Sequence, residues 1–314
     1  MRRMGALWPY KEARIAYFRD GHVTDMPIKA LAPWFGAKRN LAGRIVEMLG
    51  PHRIYWEPLC GSMAVLLAKE PCVVETVNDL HGDLINLARI IADPDEGPRF
   101  YRRMRRTLMH EESFKAAAAV MRAAPGPEPD MDLPRGDAFF ITSWLGRNGV
   151  IGAQGKTLGY CARYTANGGH GAKRWDSAIK SIPAWRRRLR NVMILNKDAF
   201  ELLEKIEDAE GLAMYVDPPY LCKGAKYDHD FEQADHERLA GLLGRFKRGR
   251  VIVSYYDDPR LAELYPGWHQ EKIIVSKALA NQGQRGRKDV KATEVLLVNQ
   301  PVVKETVAEK GLFE

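Results

Sequence analysis

Two stretches of this chain alternate short apolar runs with segments of helical period, and that alternation restricts the fold more than any other feature. Ahead of the first stretch, "KRNLAGRIVEML" places Leu41, Ile45, Val46 and Leu49 on one helical face and stops at Gly50-Pro51. "RIYWEPLCGSMAVLLAKEP" then reads as a strand, a turn over Glu57 to Ser62 and a short helix. "CVVETVNDL" is a second strand, and "GDLINLARII" is a helix that buries Leu84, Leu87, Ala88 and Ile91. The theme returns at "NVMILNKDAFELLEKI" and "LAMYVDPPY" and continues into "ADHERLAGLLGRF", where Asp235 is the expected N-cap. Three strands follow, "RVIVSYY", "EKIIVSKAL" and "ATEVLLVN". Repeats of this kind build an α/β domain around a parallel sheet, and no internal sequence period accompanies them.

Between Asp93 and about Arg190 the pattern gives way to alanine, arginine, proline and glycine, with a connecting stretch at "PGPEPDMDLPRGD". The chain thus divides into an N-terminal extension (1–30) expected to be loosely held, a first α/β part (31–94), an inserted, mainly helical domain (95–194) and a second α/β part (195–314). The formal charge of +8 is concentrated in the middle, where residues 97–195 hold 18 Lys/Arg against 7 Asp/Glu, a local +11. The remainder is therefore net acidic, and a basic region on an ordinary domain fits a polyanionic partner. A run such as "RFYRRMRR" is equally well a solvated helix face. The insert as a whole also carries "KRW" (Lys173, Arg174), "AWRRRLR" (Arg186, Arg187) and the aromatics Phe139, Phe140, Trp144, Tyr160, Tyr164, Trp175 and Trp185. Cations that hold phosphates and rings that stack on bases suit nucleic acid.

Other classes are disfavoured. No apolar stretch is long enough for a membrane span, and the basic first residues lack the apolar core of a signal peptide, so a cytoplasmic protein is expected. Cys60, Cys72, Cys161 and Cys222 show neither metal-ligand nor disulfide-framework spacing, and no metal is expected. A GxGxxG turn is missing, which disfavours a dinucleotide.

Three features sit where strands end. Glu57-Pro58-Leu59-Cys60-Gly61-Ser62 is a strand-to-helix turn whose glycine permits close approach of a nucleoside, although glycine there is also ordinary turn punctuation. Asp79 ends the next strand at the spacing where an acid accepts hydrogen bonds from ribose hydroxyls, or else caps the following helix. One nucleoside without a phosphate cradle points to S-adenosylmethionine. Asp217-Pro218-Pro219-Tyr220 ends a buried strand with fixed φ angles and two missing N–H donors, leaving a rigid row of acceptors for an exocyclic amine beside a ring on which a base could stack.

Taken together these residues resemble the D12-class, Dam-like DNA adenine-N6 methyltransferases. Trp34-Phe35-Gly36-Ala37-Lys38 is similar to the family's opening motif, Glu57 to Gly61 to its E-P-F-x-G turn, Asn78-Asp79 to its acid motif, and Asp217 to Tyr220 match its D-P-P-Y. The resemblance spans roughly 31–93 and 195–300, with Leu59 where phenylalanine and Met63 where glycine are usual. It implies a Rossmann-like sheet with an inserted target-recognition domain, and transfer of a methyl group from S-adenosylmethionine to a flipped-out adenine of double-stranded DNA in a bacterial or phage setting. Trp34, Lys38, Asp79 and Asp217 would lie at the cofactor with Glu57, Pro58, Cys60, Gly61 and Ser62; Asp217, Pro218, Pro219 and Tyr220 would be catalytic. Arg147 and Asn148 are expected at base edges, Lys223 and Lys226 on a loop covering the base, and Arg285 and Arg287 at phosphates. A cognate restriction endonuclease is a conceivable partner, and the oligomeric state is open. The rival readings are methylation of another amine (cytosine N4, RNA adenine or a glutamine amide) and a DNA-binding protein without turnover.

Overall fold

The computed structural model describes residues 30–34, 36–123, 131–146, 159–160, 171–221, 231–276 and 291–300. In chain order the elements are α1 (Ala42–Leu49), β1 (Ile54–Glu57), α2 (Ala64–Ala68), β2 (Val74–Asn78), α3 (Gly82–Ala92), α4 (Glu96–Arg106), α5 (Glu111–Arg122), α6 (Leu133–Leu145) and α7 (Gly171–Leu189). They continue with β3 (Met193–Leu195), α8 (Ala199–Lys205), β4 (Leu212–Val216), α9 (Gln233–Leu243), β5 (Arg250–Tyr256), α10 (Leu261–Leu264), β6 (His269–Ser276) and β7 (Lys291–Val298). Among the described residues seven strands form one sheet in the order β3-β2-β1-β4-β5-β7-β6. The first five are parallel, whereas β7 runs antiparallel between β5 and β6.

The period-2 pattern of the central strands explains the layers. Ala213 and Tyr215 of β4, Ile252 of β5 and Leu296 and Val298 of β7 face one core with α1 to α7. Their neighbours Met214, Val216, Val251, Val253, Val295 and Leu297 face the other, with α8 to α10. Asp235 is not the N-cap of α9. That position belongs to Glu232, and Asp235 stands three residues into the helix, accepting from the Glu232 amide at 2.9 Å in a capping box.

The described helices of the insert share a core with the sheet. Phe140, Trp144, Trp175 and Trp185 pack into the same apolar cluster as Leu31, Ile45, Leu84 and Ile90. With Phe139 they are all buried, so these rings are not a surface for stacking on bases. They fill the space between α6, α7 and the sheet-covering α3, as large aromatic side chains commonly do in helix packing. Tyr160 packs partly buried against Phe114, and Tyr164 lies outside the described residues.

A buried ionic cluster ties the same layer to the sheet. Glu75 of β2 takes both Arg188 of α7 (2.5 and 2.8 Å) and Lys69 (2.5 Å), and all three are under a tenth exposed. Burial disfavours the Glu75 charge, but the two cations outweigh it and hold its pKa below the usual carboxylate value. Removing one member leaves an uncompensated buried charge. Arg188→Met is therefore expected to lower stability by about 3 kcal/mol or more in urea unfolding; a loss below about 1 kcal/mol would show that water reaches the cluster.

Candidate active site

The crevice lies where β1 and β4 run side by side. From β1 the chain moves outward to β2 and β3, from β4 outward to β5, and at such a reversal of strand order open α/β sheets bind ligands. A pocket here is lined by Glu57, Leu59, Cys60, Gly61 and Ser62 beyond β1, and by Asp79, Leu80 and His81 beyond β2. Asp198, Ala199 and Phe200 contribute from the start of α8, and Tyr215, Asp217 and Pro219 from β4. Trp34, Ala37, Lys38, Ala64, Val65 and Phe231 complete the walls.

The turn after β1 is built for close approach. Gly61 has φ +43°, and a Cβ there would lie 2.9 Å from the Trp34 indole nitrogen, so only glycine lets Trp34 sit down on the turn. Two residues on, Met63 also has a left-handed φ of +59° while wholly buried. Asp79 stitches this turn to β2: its Oδ2 accepts from the Gly61 amide at 2.8 Å and its Oδ1 from the His81 amide at 2.9 Å. Asn78 clamps the neighbouring strand ends, donating from Nδ2 to the carbonyls of Pro58 and Lys197, both at 2.9 Å.

The Asp217 carboxylate is held from two sides. Lys38 Nζ lies 2.9 Å from each of its oxygens, and Ser254 Oγ donates to Oδ1 at 2.7 Å. Tyr215 Oη stands 2.9 Å from Ser254 Oγ. Lys38 also donates to the Gly36 carbonyl at 3.0 Å, and its ammonium sits over the Tyr220 ring at 4.9 Å. Burial opposes the Lys38 charge, yet Asp217 and Glu294 outweigh it and raise its pKa above the ordinary lysine value.

Nine of the residues expected from sequence therefore meet at one pocket: Trp34, Lys38, Glu57, Cys60, Gly61, Ser62, Asp79, Asp217 and Pro219. Pro58 and Pro218 are buried beside it, and Tyr220 joins it through Lys38. The basic residues are more dispersed. The Arg174 guanidinium binds the carbonyls of Trp144 and Gly146, at the end of α6. Arg186 donates to the Pro94 carbonyl at 3.0 Å, and the adjacent Arg188 holds Glu75 near the start of β2. That end of α7 is thus remote from the strand ends that carry the pocket. Lys173 and Arg187 are exposed, and Arg147, Asn148, Lys223, Lys226, Arg285 and Arg287 lie outside the described residues.

Sequence reasoning missed Tyr215, Ser254, Asp198, Phe200 and Phe231. Asp198 had a readable signal, since "NKDAFELLEKI" is an N-cap pattern and its Oδ1 caps α8 through Phe200 (2.9 Å) and Glu201 (3.1 Å).

A family model described as D12 class N6 adenine-specific DNA methyltransferase matches residues 34–122 and 151–282, which include every pocket-lining residue above. The chain belongs to this family. Among solved structures it is similar to a precorrin 8W decarboxylase of Methanobacterium thermoautotrophicum (13% identity, 83% of this chain and 87% of that one, TM-score 0.34). It is also similar to a precorrin-6y C5,15-methyltransferase of Geobacter metallireducens GS-15 (10% identity, 82% and 85%, TM-score 0.34). A third is an rRNA methylase of Streptococcus thermophilus (8% identity, 84% and 97%, TM-score 0.33). No curated protein matches the chain.

Among the described residues of this methyltransferase no three His, Cys, Asp or Glu side chains are grouped to hold a metal ion, and no helix is long and apolar enough to cross a membrane. The D12-class fold places Glu57 at the buried base of the pocket, where its Oε2 accepts from Tyr55 Oη at 2.9 Å and from the Leu66 amide at 3.2 Å. Burial pushes its carboxyl up to about 8, although both hydrogen bonds favour the charged form. The stability conferred by that proton is fully present below the unfolded value of 4.5 and is lost as pH rises through about 8. Glu57→Gln, always neutral, should therefore gain stability relative to the native protein on passing from roughly pH 6 to 9. Parallel urea midpoints across that range would mean that Glu57 does not titrate there.

Proposed function

We propose that this methyltransferase moves the methyl group of S-adenosylmethionine to the exocyclic N6 of an adenine swung out of double-stranded DNA. The observation that carries the reading is the join between the pocket at the strand ends and the Asp217 corner, with Asp217 common to both. The pocket suits this cofactor. Trp34 and Phe200 offer apolar surfaces, Asp79 and Asp198 offer acceptors for hydroxyl and amine groups, and three aspartates against one lysine favour a sulfonium cation. When bound, S-adenosylmethionine supplies an electrophilic methyl group on sulfur.

The protein's part is positioning and polarisation. A carboxylate offers about four lone-pair sites. Among the described residues Ser254 and Lys38 engage Oδ1 and Lys38 engages Oδ2, so the proposed site for one amine N–H is at Oδ2. The Pro218 carbonyl accepts from the other. These two hydrogen bonds draw the N6 lone pair out of conjugation with the ring. Transfer of the methyl group to N6 would release S-adenosylhomocysteine, and Asp217 would let the proton that N6 sheds pass to solvent. Tyr220 provides the stacking ring, one face of which Lys38 covers. The insert over 95–194 is the target-recognition region, and its exposed Lys173 and Arg187, with Arg147 and Asn148, are the proposed DNA contacts there. Lys223, Lys226, Arg285 and Arg287 are proposed contacts from the catalytic part.

Incubation with labelled S-adenosylmethionine and unmethylated DNA, followed by nucleoside analysis, should place the label in N6-methyldeoxyadenosine. Label in cytosine, or only in RNA, would replace this reading by its rival. Asp217→Ala is expected to reduce turnover by at least about a hundredfold, the scale of losing one preorganised polar group at a reacting centre. Gly61→Ala forces Trp34 aside and should weaken cofactor binding by about tenfold or more in a titration, at the scale of 1.4 kcal/mol per decade; unchanged affinity would separate Trp34 from the cofactor.

A further inference from the structure

Beyond the pocket, the buried carboxylate of Glu294 has no part in the reading above. We propose that Glu294 is a positioning residue that holds the Tyr220 ring in the place where the target base stacks on it. The inference rests on the reaction proposed above and adds a residue to it. Glu294 stands on β7, outside both stretches matched by the family model. It reaches the corner because β7 lies antiparallel beside β5, where Glu294 pairs with Tyr256.

Glu294 is 7% exposed, and a carboxylate so placed needs partners. Tyr220 Oη donates to its Oε2 at 3.2 Å, and Lys38 Nζ lies 3.9 Å from the same oxygen. Lys38 covers one face of the Tyr220 ring, and the Tyr256 ring meets it edge-on at 4.4 Å and 76°. The two prolines fix the backbone before Tyr220, so the remaining freedom is in its side-chain torsions. The hydroxyl lies on the axis of the ring's own rotation, so a tether there holds the swing of the side chain about χ1, while the edge-on Tyr256 ring restricts the rotation itself. Glu294 also draws on the ammonium that binds Asp217, so Lys38 is shared between two carboxylates rather than spent on the acceptor of the amine.

A counter-ion for buried Lys38 would need the charge of Glu294 and not its hydrogen bond to Tyr220, and a double-mutant cycle separates the two roles. Single-turnover methylation of unmethylated DNA would be followed at saturating labelled S-adenosylmethionine, together with melting and cofactor titration of each variant. Glu294→Leu should slow transfer by roughly three- to tenfold, the scale of one hydrogen bond. Glu294→Gln keeps an oxygen acceptor and should stay within about twofold. Tyr220→Phe should lose as much as Glu294→Leu, and the double variant no more than either, with cofactor affinity unchanged throughout.

Multiplying effects, a Glu294→Gln as slow as Glu294→Leu, or a loss that follows cofactor affinity would overturn the proposal. Should Glu294→Leu not fold, Glu294→Gln must be silent in both the native and the Tyr220→Phe backgrounds while Tyr220→Phe alone is slow; any other pattern overturns it. A native protein that leaves no N6-methyladenine removes the parent reaction and this role with it. An active enzyme lacking the coupling removes this role alone.

Discussion

The ion pair between Lys38 and Asp217 joins segments 179 residues apart and turns an open crevice into a site. Lys38 precedes the first strand, so its segment must be carried across the strand ends. Backbone bonding of Leu31 to Ser62, the Trp144 indole donating to the Leu31 carbonyl, and Trp34 lying on Gly61 keep it there. A lysine so buried is stable as a cation only beside anions, and here two carboxylates face it. Its position thereby sets which oxygens of Asp217 it engages and which face of Tyr220 it covers.

What the sequence disclosed was local. The Asp217 to Tyr220 corner, the Gly61 turn and Asp79 each announce themselves by residue type at the end of an apolar run, and they gather in one pocket because consecutive parallel strands end on the same side. Ser254 and Tyr215 were illegible for the opposite reason: they lie inside strands, and only the adjacency of β4 and β5 brings them to Asp217. Glu294 depends on the antiparallel insertion of β7, which no local pattern specifies. The aromatic residues of the insert misled because a ring that stacks on a base and a ring that fills a core have the same composition signature. Arg174 and Arg186 also bond backbone carbonyls at helix ends, a pairing that residue type does not announce.

Met63 stands where the family resemblance implies glycine, and its conformation is one that favours glycine. With φ at +59° a side chain costs about 1–2 kcal/mol relative to glycine. The wholly buried thioether chain offsets part of this through contact with the core. The strained backbone lies directly behind Gly61, so the shape of the pocket floor is maintained by core packing behind it as well as by glycine in front.

Because the helical insert and the sheet share one apolar cluster and the Glu75 ionic cluster, the insert is no detachable module. A chimera that exchanged residues 95–194 for the corresponding region of a relative would strip Ile90 and Leu31 of their partners and leave Glu75 without Arg188. Exchange of this region is therefore a change to the shared core as well as to the surface.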